Sequence, residues 1–296
     1  MATNRKQIMK NLMIPMLAGL VLSCTNSKAQ DNKFTDKIHK EFTVSPQSML
    51  GVYNLNGSIK VVGYDGNKVI MDVDETIDAK NAKELASAKS EIKLGFEQVG
   101  DSLLFYIAEP YDTRPRRKNW NWGNNRERKI EYEVHLNYVI KVPNSMRIAV
   151  STVNEGEILV ENMHGAIKAN HVNGKITIKD AVEVEDVHTI NGDVNINFVQ
   201  NPTKYGKFYS LNGKLNITMP KNFSADCEFK TFQGDFYTDF ENTEKLPAKV
   251  EKVTKENDNG TKTHKIIKRD MIRFGKGGNN LFFETFNGNV YIKESK

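Results

Sequence analysis

The chain of 296 residues is long enough for one large domain or two modest ones, and its 39% hydrophobic content is low for a compact globule. Such a balance suits thin, elongated layers that expose much surface. Residues 1–23 carry three basic groups and no acidic one, which leaves 39 basic against 37 acidic residues beyond them, so no global charge points to nucleic acid.

Arg5, Lys6 and Lys10 precede an apolar run at 12–22 that is too short to span a bilayer, the pattern of an export signal over residues 1–23. The run closes as Leu20-Val21-Leu22-Ser23-Cys24, which resembles a bacterial lipobox, with Leu22 bulkier than usual at its place. That resemblance implies lipid attachment and a membrane anchor at Cys24, followed by a polar tether over 24–33. The competing expectation is cleavage after Ala29, behind Ser27-Lys28-Ala29, which leaves a soluble periplasmic or secreted protein. Both routes lead out of the cytoplasm to the bacterial cell envelope. With Cys24 lipidated, Cys227 is the remaining thiol, so no intramolecular disulfide is expected and Cys227 reads as a small core residue.

A front region is expected over 34–143. Strand signals fall at 41–44, 50–55, 58–62 and 68–74. Residues 79–90 lose β-branched residues and gain Ala, Lys and Leu, which predicts one short helix with Asp78 as its cap. Ile92/Leu94/Phe96 and Leu103/Phe105/Ile107 alternate around Gly100-Asp101, a hairpin signal. From Ile130 to Val142 every second residue is apolar. At about 3.3 Å per residue this strand runs roughly 40 Å, and Pro143 ends it.

Ahead of that strand, residues 111–129 read YDTRPRRKNWNWGNNRERK. Seven basic residues (Arg114, Arg116, Arg117, Lys118, Arg126, Arg128 and Lys129) stand against Asp112 and Glu127, and both tryptophans, Trp120 and Trp122, sit at the centre. Guanidinium groups bind phosphate, sulfate or carboxylate in bidentate fashion, and indole faces stack on sugars or rest at lipid headgroups. Arg114, Arg116, Arg117, Lys118, Trp120, Trp122, Arg126 and Arg128 are therefore the candidate ligand-binding residues. Their expected partners are an envelope glycan, an anionic surface or a protein. The bland alternative is a loop charged for solubility whose indoles cap a sheet edge.

Beyond residue 144 the chain repeats itself. Val172-Asn173-Gly174-Lys175-Ile176, Ile190-Asn191-Gly192-Asp193-Val194 and Leu211-Asn212-Gly213-Lys214-Leu215 share one phrase, echoed at Leu55-Asn56-Gly57 and Phe286-Asn287-Gly288. Asn-Gly is a strong hairpin signal, so a meander is one possibility. The residues upstream of Gly174, Lys168-Ala169-Asn170-His171-Val172, lack the matched alternation that a hairpin needs. A β-solenoid, with Asn-Gly at successive corners and Asn173, Asn191 and Asn212 stacked as an amide ladder, fits better. In it Ile176/Ile178, Val194/Ile196 and Leu215/Ile217 face one interior, glycine serves for its tolerance of positive φ, and His164 replaces Asn at a corner. A Lys-, Glu- and Asn-rich insertion at 241–275 is expected as a long hairpin or loop within the 144–296 repeats.

The path from the strand at 130–142 through Val142-Pro143 and Ile148-Ala149-Val150 into serial Asn-Gly units resembles the putative-adhesin family of bacterial β-strand-repeat envelope proteins, domains of unknown function. The resemblance covers most of the mature chain and is clearest over 132–236 and 277–292. It implies an exported, all-β protein built as a β-solenoid (a single-stranded β-helix or roll), and it offers no catalytic residues.

The chemistry of the remaining residues points the same way. No Gly-Lys-Ser/Thr phosphate loop or Gly-x-Ser-x-Gly elbow occurs, and His39, His135, His164, His171, His188 and His264 have no zinc-site spacing, so neither metal nor cofactor is expected. The enzymatic alternative is a β-helix acting on acidic polysaccharide through Asp180, Asp186 and Asp193 with Lys175 and Lys179. A further alternative is a periplasmic partner in envelope-stress signalling. The reading favoured by the sequence is a non-enzymatic, adhesin-like binding or structural module.

Overall fold

Alternating apolar residues specify strands along almost the whole chain. The computed structural model, which describes residues 32–45, 47–115, 129–256, 259 and 262–296, is all-β with one helix. In the front region β1 (Lys33–Thr43), β2 (Met49–Tyr53), β3 (Ile59–Tyr64) and β4 (Lys68–Ala79) precede α1 (Ala82–Glu91). After it come β5 (Lys93–Val99), β6 (Ser102–Glu109) and β7 (Tyr132–Pro143). Short strands follow: β8 (Arg147–Thr152), β9 (Ile158–Glu161), β10 (Ile167–His171), β11 (Ile176–Ala181), β12 (Val184–Asn191), β13 (Val194–Phe198), β14 (Gly206–Asn212) and β15 (Leu215–Met219). The chain closes with β16 (Ala225–Gln233), β17 (Phe236–Thr238), β18 (Thr243–Glu256), β19 (Lys262–Phe274), β20 (Asn280–Asn287) and β21 (Val290–Glu294).

The helix starts later than its composition suggests. Ile77 and Ala79 continue the alternation of β4 and are buried where they pair with β7, so the strand runs through Asp78. The cap is Asn81, not Asp78: its side-chain oxygen accepts from the Glu84 N–H at 2.9 Å. Gly100-Asp101 does turn the antiparallel hairpin β5–β6, with Gly100 at φ +56°.

The strands form two mixed sheets, ordered β1-β4-β7-β3-β9-β11-β13-β15-β21-β17 and β18-β19-β16-β20-β14-β12-β10-β8-β2-β6-β5. Eight times the chain passes from the second sheet to the first, through β2–β3, β6–β7, β8–β9, β10–β11, β12–β13, β14–β15, β16–β17 and β20–β21, and neighbouring crossings pair in parallel. At both ends antiparallel strands break this pattern: β1 on β4, β4 on β7 and β5 on β6 at one, β18–β19 on β16 at the other. The sheets are therefore not a plain repeat from end to end.

One apolar core runs from Val44 to Ile292, and Ile176, Ile178, Val194, Ile196, Leu215 and Ile217 are all buried in it. Each such side chain stabilises the fold by about 1.5–3 kcal/mol. Cys227 is buried there too, and burial pushes its thiol pKa well up, as suits an inert core residue. The Phe208 ring stacks on Phe283 at 4.9 Å, and Phe283 on Phe229 at 5.3 Å. This stack seats β20 between β14 and β16, out of chain order.

The corners are held by two columns. Asparagine amides form a continuous ladder: Asn154 donates to Asn56 at 3.2 Å, Asn173 to Asn154 at 3.0 Å, Asn191 to Asn173 at 2.8 Å, Asn212 to Asn191 at 2.9 Å and Asn287 to Asn212 at 2.8 Å. His164 is not in it. It lies between β9 and β10, at the opposite corner, where its N–H donates to the Asn144 carbonyl at 2.8 Å. The glycines stack beside the ladder. Gly57 and Gly156 have the expected positive φ, at +109° and +70°, whereas Gly174, Gly192, Gly213 and Gly288 do not and serve another end. A Cβ on Gly192 would sit 2.1 Å from the Gly174 carbonyl oxygen, and one on Gly213 would sit 2.0 Å from that of Gly192. The corners thus approach too closely for any side chain. Inside them, buried hydroxyls cap the same carbonyls: Thr189 donates to Gly174 O at 3.0 Å and Ser210 to Gly192 O at 2.9 Å.

Candidate functional site

The basic segment enters at one of these corners. β6 pairs in parallel with β2, and β7 with β3, so where β2 crosses to β3 through Asn54–Ser58, β6 crosses to β7 through residues 110–131. The Asn56 amide donates to the Val134 carbonyl at 3.1 Å and ties the two crossings together.

The outgoing foot is fixed by backbone and charge. The Thr113 N–H donates to Ile107 O at 3.1 Å, and its hydroxyl donates to Tyr53 O at 2.6 Å. Arg114 is part of this foot. Its guanidinium donates to Asp112 Oδ2 at 2.7 Å and to Glu97 Oε2 at 3.0 Å, with its centre 4.0 Å from the Tyr106 ring centroid. The Tyr106 hydroxyl donates in turn to Glu97, and burial together with that bond pushes its pKa up to about 12. Arg114 is thus an anchor with its charge already met, a role its sequence neighbours only half disclose, since Glu97 lies on β5.

At the returning foot Lys80 and Lys129 lie 2.8 and 3.6 Å from the Glu131 carboxylate, and the Lys80 hydrogen bond leads in holding the Glu131 pKa low. A cleft of about 420 Å³ opens beside them, lined by Lys80, Lys129, Ile130 and Glu133 among others. The other candidate residues, Arg116, Arg117, Lys118, Trp120, Trp122, Arg126 and Arg128, lie outside the described residues, as do Cys24 and the export signal.

The three aspartates weighed for catalysis do not converge. Asp186 is on β12 in the second sheet, Asp193 is in the Asn-Gly corner and accepts from the Lys214 N–H at 2.8 Å, and Asp180 is near the far end of β11 at φ +54°. Lys175 and Lys179 pair with Glu157 and Glu161 at 2.8 and 3.0 Å. Among the described residues no cluster of three or more His, Cys, Asp or Glu side chains is arranged to hold a metal ion.

Two features were missed in the sequence. The outer face of the second sheet carries two adjoining clefts that share Asp186 and Lys207, one reaching Lys168 and Lys204, the other His188, Tyr209 and Glu284. Register explains it, because Lys168, Asp186 and Lys207 occupy one row across β10, β12 and β14. The second feature is the buried Glu228 on β16. Burial raises its pKa, but Lys249 at 2.6 Å and Arg269 at 3.0 Å outweigh this and hold it below the usual carboxylate range. No local sequence signal pairs residues from three strands.

No family model matches the chain, and no curated protein matches it. Several solved structures are similar. A putative cell adhesion protein from Clostridium sporogenes is 11% identical with a TM-score of 0.39, over 88% of this chain and 100% of that one. A putative adhesin from Bacteroides fragilis is 10% identical with a TM-score of 0.35, over 87% and 97%. A putative lipid binding protein from Parabacteroides distasonis is 10% identical with a TM-score of 0.30, over 88% and 97%. Scores this low leave the fold and the ligand of this chain to be argued from its own residues.

Proposed function

We propose that the chain is a non-enzymatic, adhesin-like binding module of the bacterial cell envelope, a β-solenoid anchored by lipid at Cys24 that takes an anionic glycan or anionic surface through its basic aromatic loop. Parallel crossings and the asparagine ladder support the solenoid reading. The observation that carries the function is the loop's place. A segment with Arg116, Arg117, Lys118, Trp120, Trp122, Arg126 and Arg128 joins β6 to β7 where the adjacent crossing, β2–β3, needs only Asn54–Ser58 with its Asn56-Gly57, and ion pairs and hydrogen bonds fix both its feet. Arg114 serves as anchor, and the arginines beyond it serve as ligands for sulfate, phosphate or carboxylate with the indoles stacked on sugar rings. The acidic-polysaccharide enzyme loses its support with the scattered aspartates.

The test is binding to anionic glycans and to the envelope fraction at low and high salt, beside a variant with Arg116, Arg117 and Lys118 changed to Ala. Binding that weakens with salt and is lost in the variant supports the reading, because screened charge contacts behave so. Equal binding by both proteins refutes it.

A further inference from the structure

The antiparallel pair β18–β19 is rooted in the second sheet and then leaves it. Asp270–Phe274 pair with β16, whereas the stretch of β19 from Lys262 to Arg269 pairs with β18 alone. At about 3.3 Å per residue this makes a two-stranded ribbon roughly 25 Å long. Such a ribbon is marginally stable in water by itself. Its root is firm: Lys249 of β18 and Arg269 of β19 both grip Glu228 of β16, and the Arg269 guanidinium lies 4.8 Å from the Phe282 ring centroid.

Beyond the root the ribbon is cationic. Residues 250–256 and 262–268 hold five lysines against two acids, Glu251, which Arg269 of the root binds at 2.8 Å, and Glu256, which stands opposite Lys262. In the register Val250 stands opposite Lys268, and Lys252 opposite Ile266. Residues two apart share a face, so these four form one patch with aliphatic and cationic side chains on its diagonals. Val250 and Ile266 are 64% and 69% exposed, and Lys252, Lys255, Lys265 and Lys268 are exposed as well.

We infer that this ribbon is a membrane-surface contact whose ligand is an anionic lipid bilayer. Branched aliphatic side chains gain free energy by leaving water for hydrocarbon, whereas sugars and bases stack on aromatic rings, which this patch lacks. Lysine suits the same interface: its methylene stem lies along the apolar layer and its ammonium group sits at lipid phosphate. This contact uses other residues than the basic loop and stands independently of it.

The experiment uses the chain from residue 25, which holds every residue of the core but not Cys24. It is sedimented with vesicles of phosphatidylcholine alone and of phosphatidylcholine with phosphatidylglycerol. V250N/I266N keeps every charge, K252Q/K268Q keeps both aliphatics, and both change exposed side chains of the patch only. The protein is expected to bind the phosphatidylglycerol vesicles and not the others. The lysine variant should lose about fivefold in affinity per cation, and the aliphatic variant about tenfold. Retention of V250N/I266N on heparin should be unchanged, and R116A/R117A/K118A should keep its vesicle binding. The inference is overturned if the protein ignores phosphatidylglycerol vesicles, if V250N/I266N binds them as well as the parent does, or if the loop variant alone abolishes binding.

Discussion

The central crossings, from β8 to β15, and two other regions, the feet of the basic segment at 110–115 and 129–131 and the ribbon β18–β19, are built on opposite logics. In the centre the β12–β13 and β14–β15 corners have the same three supports, an amide rung, a glycine packed against a carbonyl and a buried hydroxyl on that carbonyl, and β10–β11 keeps the rung and the glycine with His171 in the hydroxyl's place. Each of the other two regions is held instead by ion pairs at its base, Arg114 with Asp112 and Glu97 and Lys80 with Glu131 at the two feet of the segment, and Glu228 with Lys249 and Arg269 under the ribbon. The centre repeats one set of stacking contacts from crossing to crossing, whereas the ribbon of β18–β19 carries exposed lysines and aliphatic side chains beyond its root.

The largest expected effect breaks the centre. Gly213→Ala forces a Cβ against the Gly192 carbonyl and should cost about 3 kcal/mol of unfolding free energy in a denaturant titration. A loss below about 0.5 kcal/mol would mean that the corners can separate, and close stacking would then not explain the glycines.

Next comes the ribbon. Glu228→Ala leaves Lys249 and Arg269 without their buried carboxylate, and about 2 kcal/mol should be lost, since both cations can partly regain water. Amide exchange should speed up across β18 and β19 while the central strands keep their protection. Uniform acceleration through the whole chain would contradict the separate root.

The smallest effect is a pH dependence within the centre. His171 fills the place that Thr152 and Thr189 fill elsewhere, and burial lowers its pKa from 6.5, only partly offset by its contact with the Gly156 carbonyl. The unfolded chain therefore binds the proton more readily than the folded one. Its stability contribution is full above about pH 6.5 and is lost as pH falls through the lowered folded value. His171→Thr should flatten the fall in stability between about pH 7.5 and 5.5, and identical slopes in both proteins would remove His171 from the account.

Much of the centre was legible because period-two alternation and Asn-Gly corners are local signals that recur. Asn173, Asn191 and Asn212 announced the ladder, though Asn56, Asn154 and Asn287 extend it. Positive φ was legible for Gly57 and Gly156, but the reason for Gly192 and Gly213 was not, since carbonyl approach depends on the neighbouring crossing and not on the residue's own φ. Chain order also misled, because the Phe208–Phe283–Phe229 stack, and no local pattern, seats β20 between β14 and β16. For the loop, sequence located the charge, but the neutralising partner of Arg114 on β5 appears only when the hairpin folds back.

The proposal to be tested first is that recognition of an anionic glycan lies in the basic loop and not on the sheet face. The most direct test compares binding of an anionic glycan by two variants with matched loss of charge, R116A/R117A/K118A in the loop and K168Q/K204Q/K207Q on the outer face of the second sheet. The account predicts that the loop variant loses binding while the face variant keeps it. Loss in the face variant with binding intact in the loop variant would contradict it and move the site to the row of Lys168, Asp186 and Lys207.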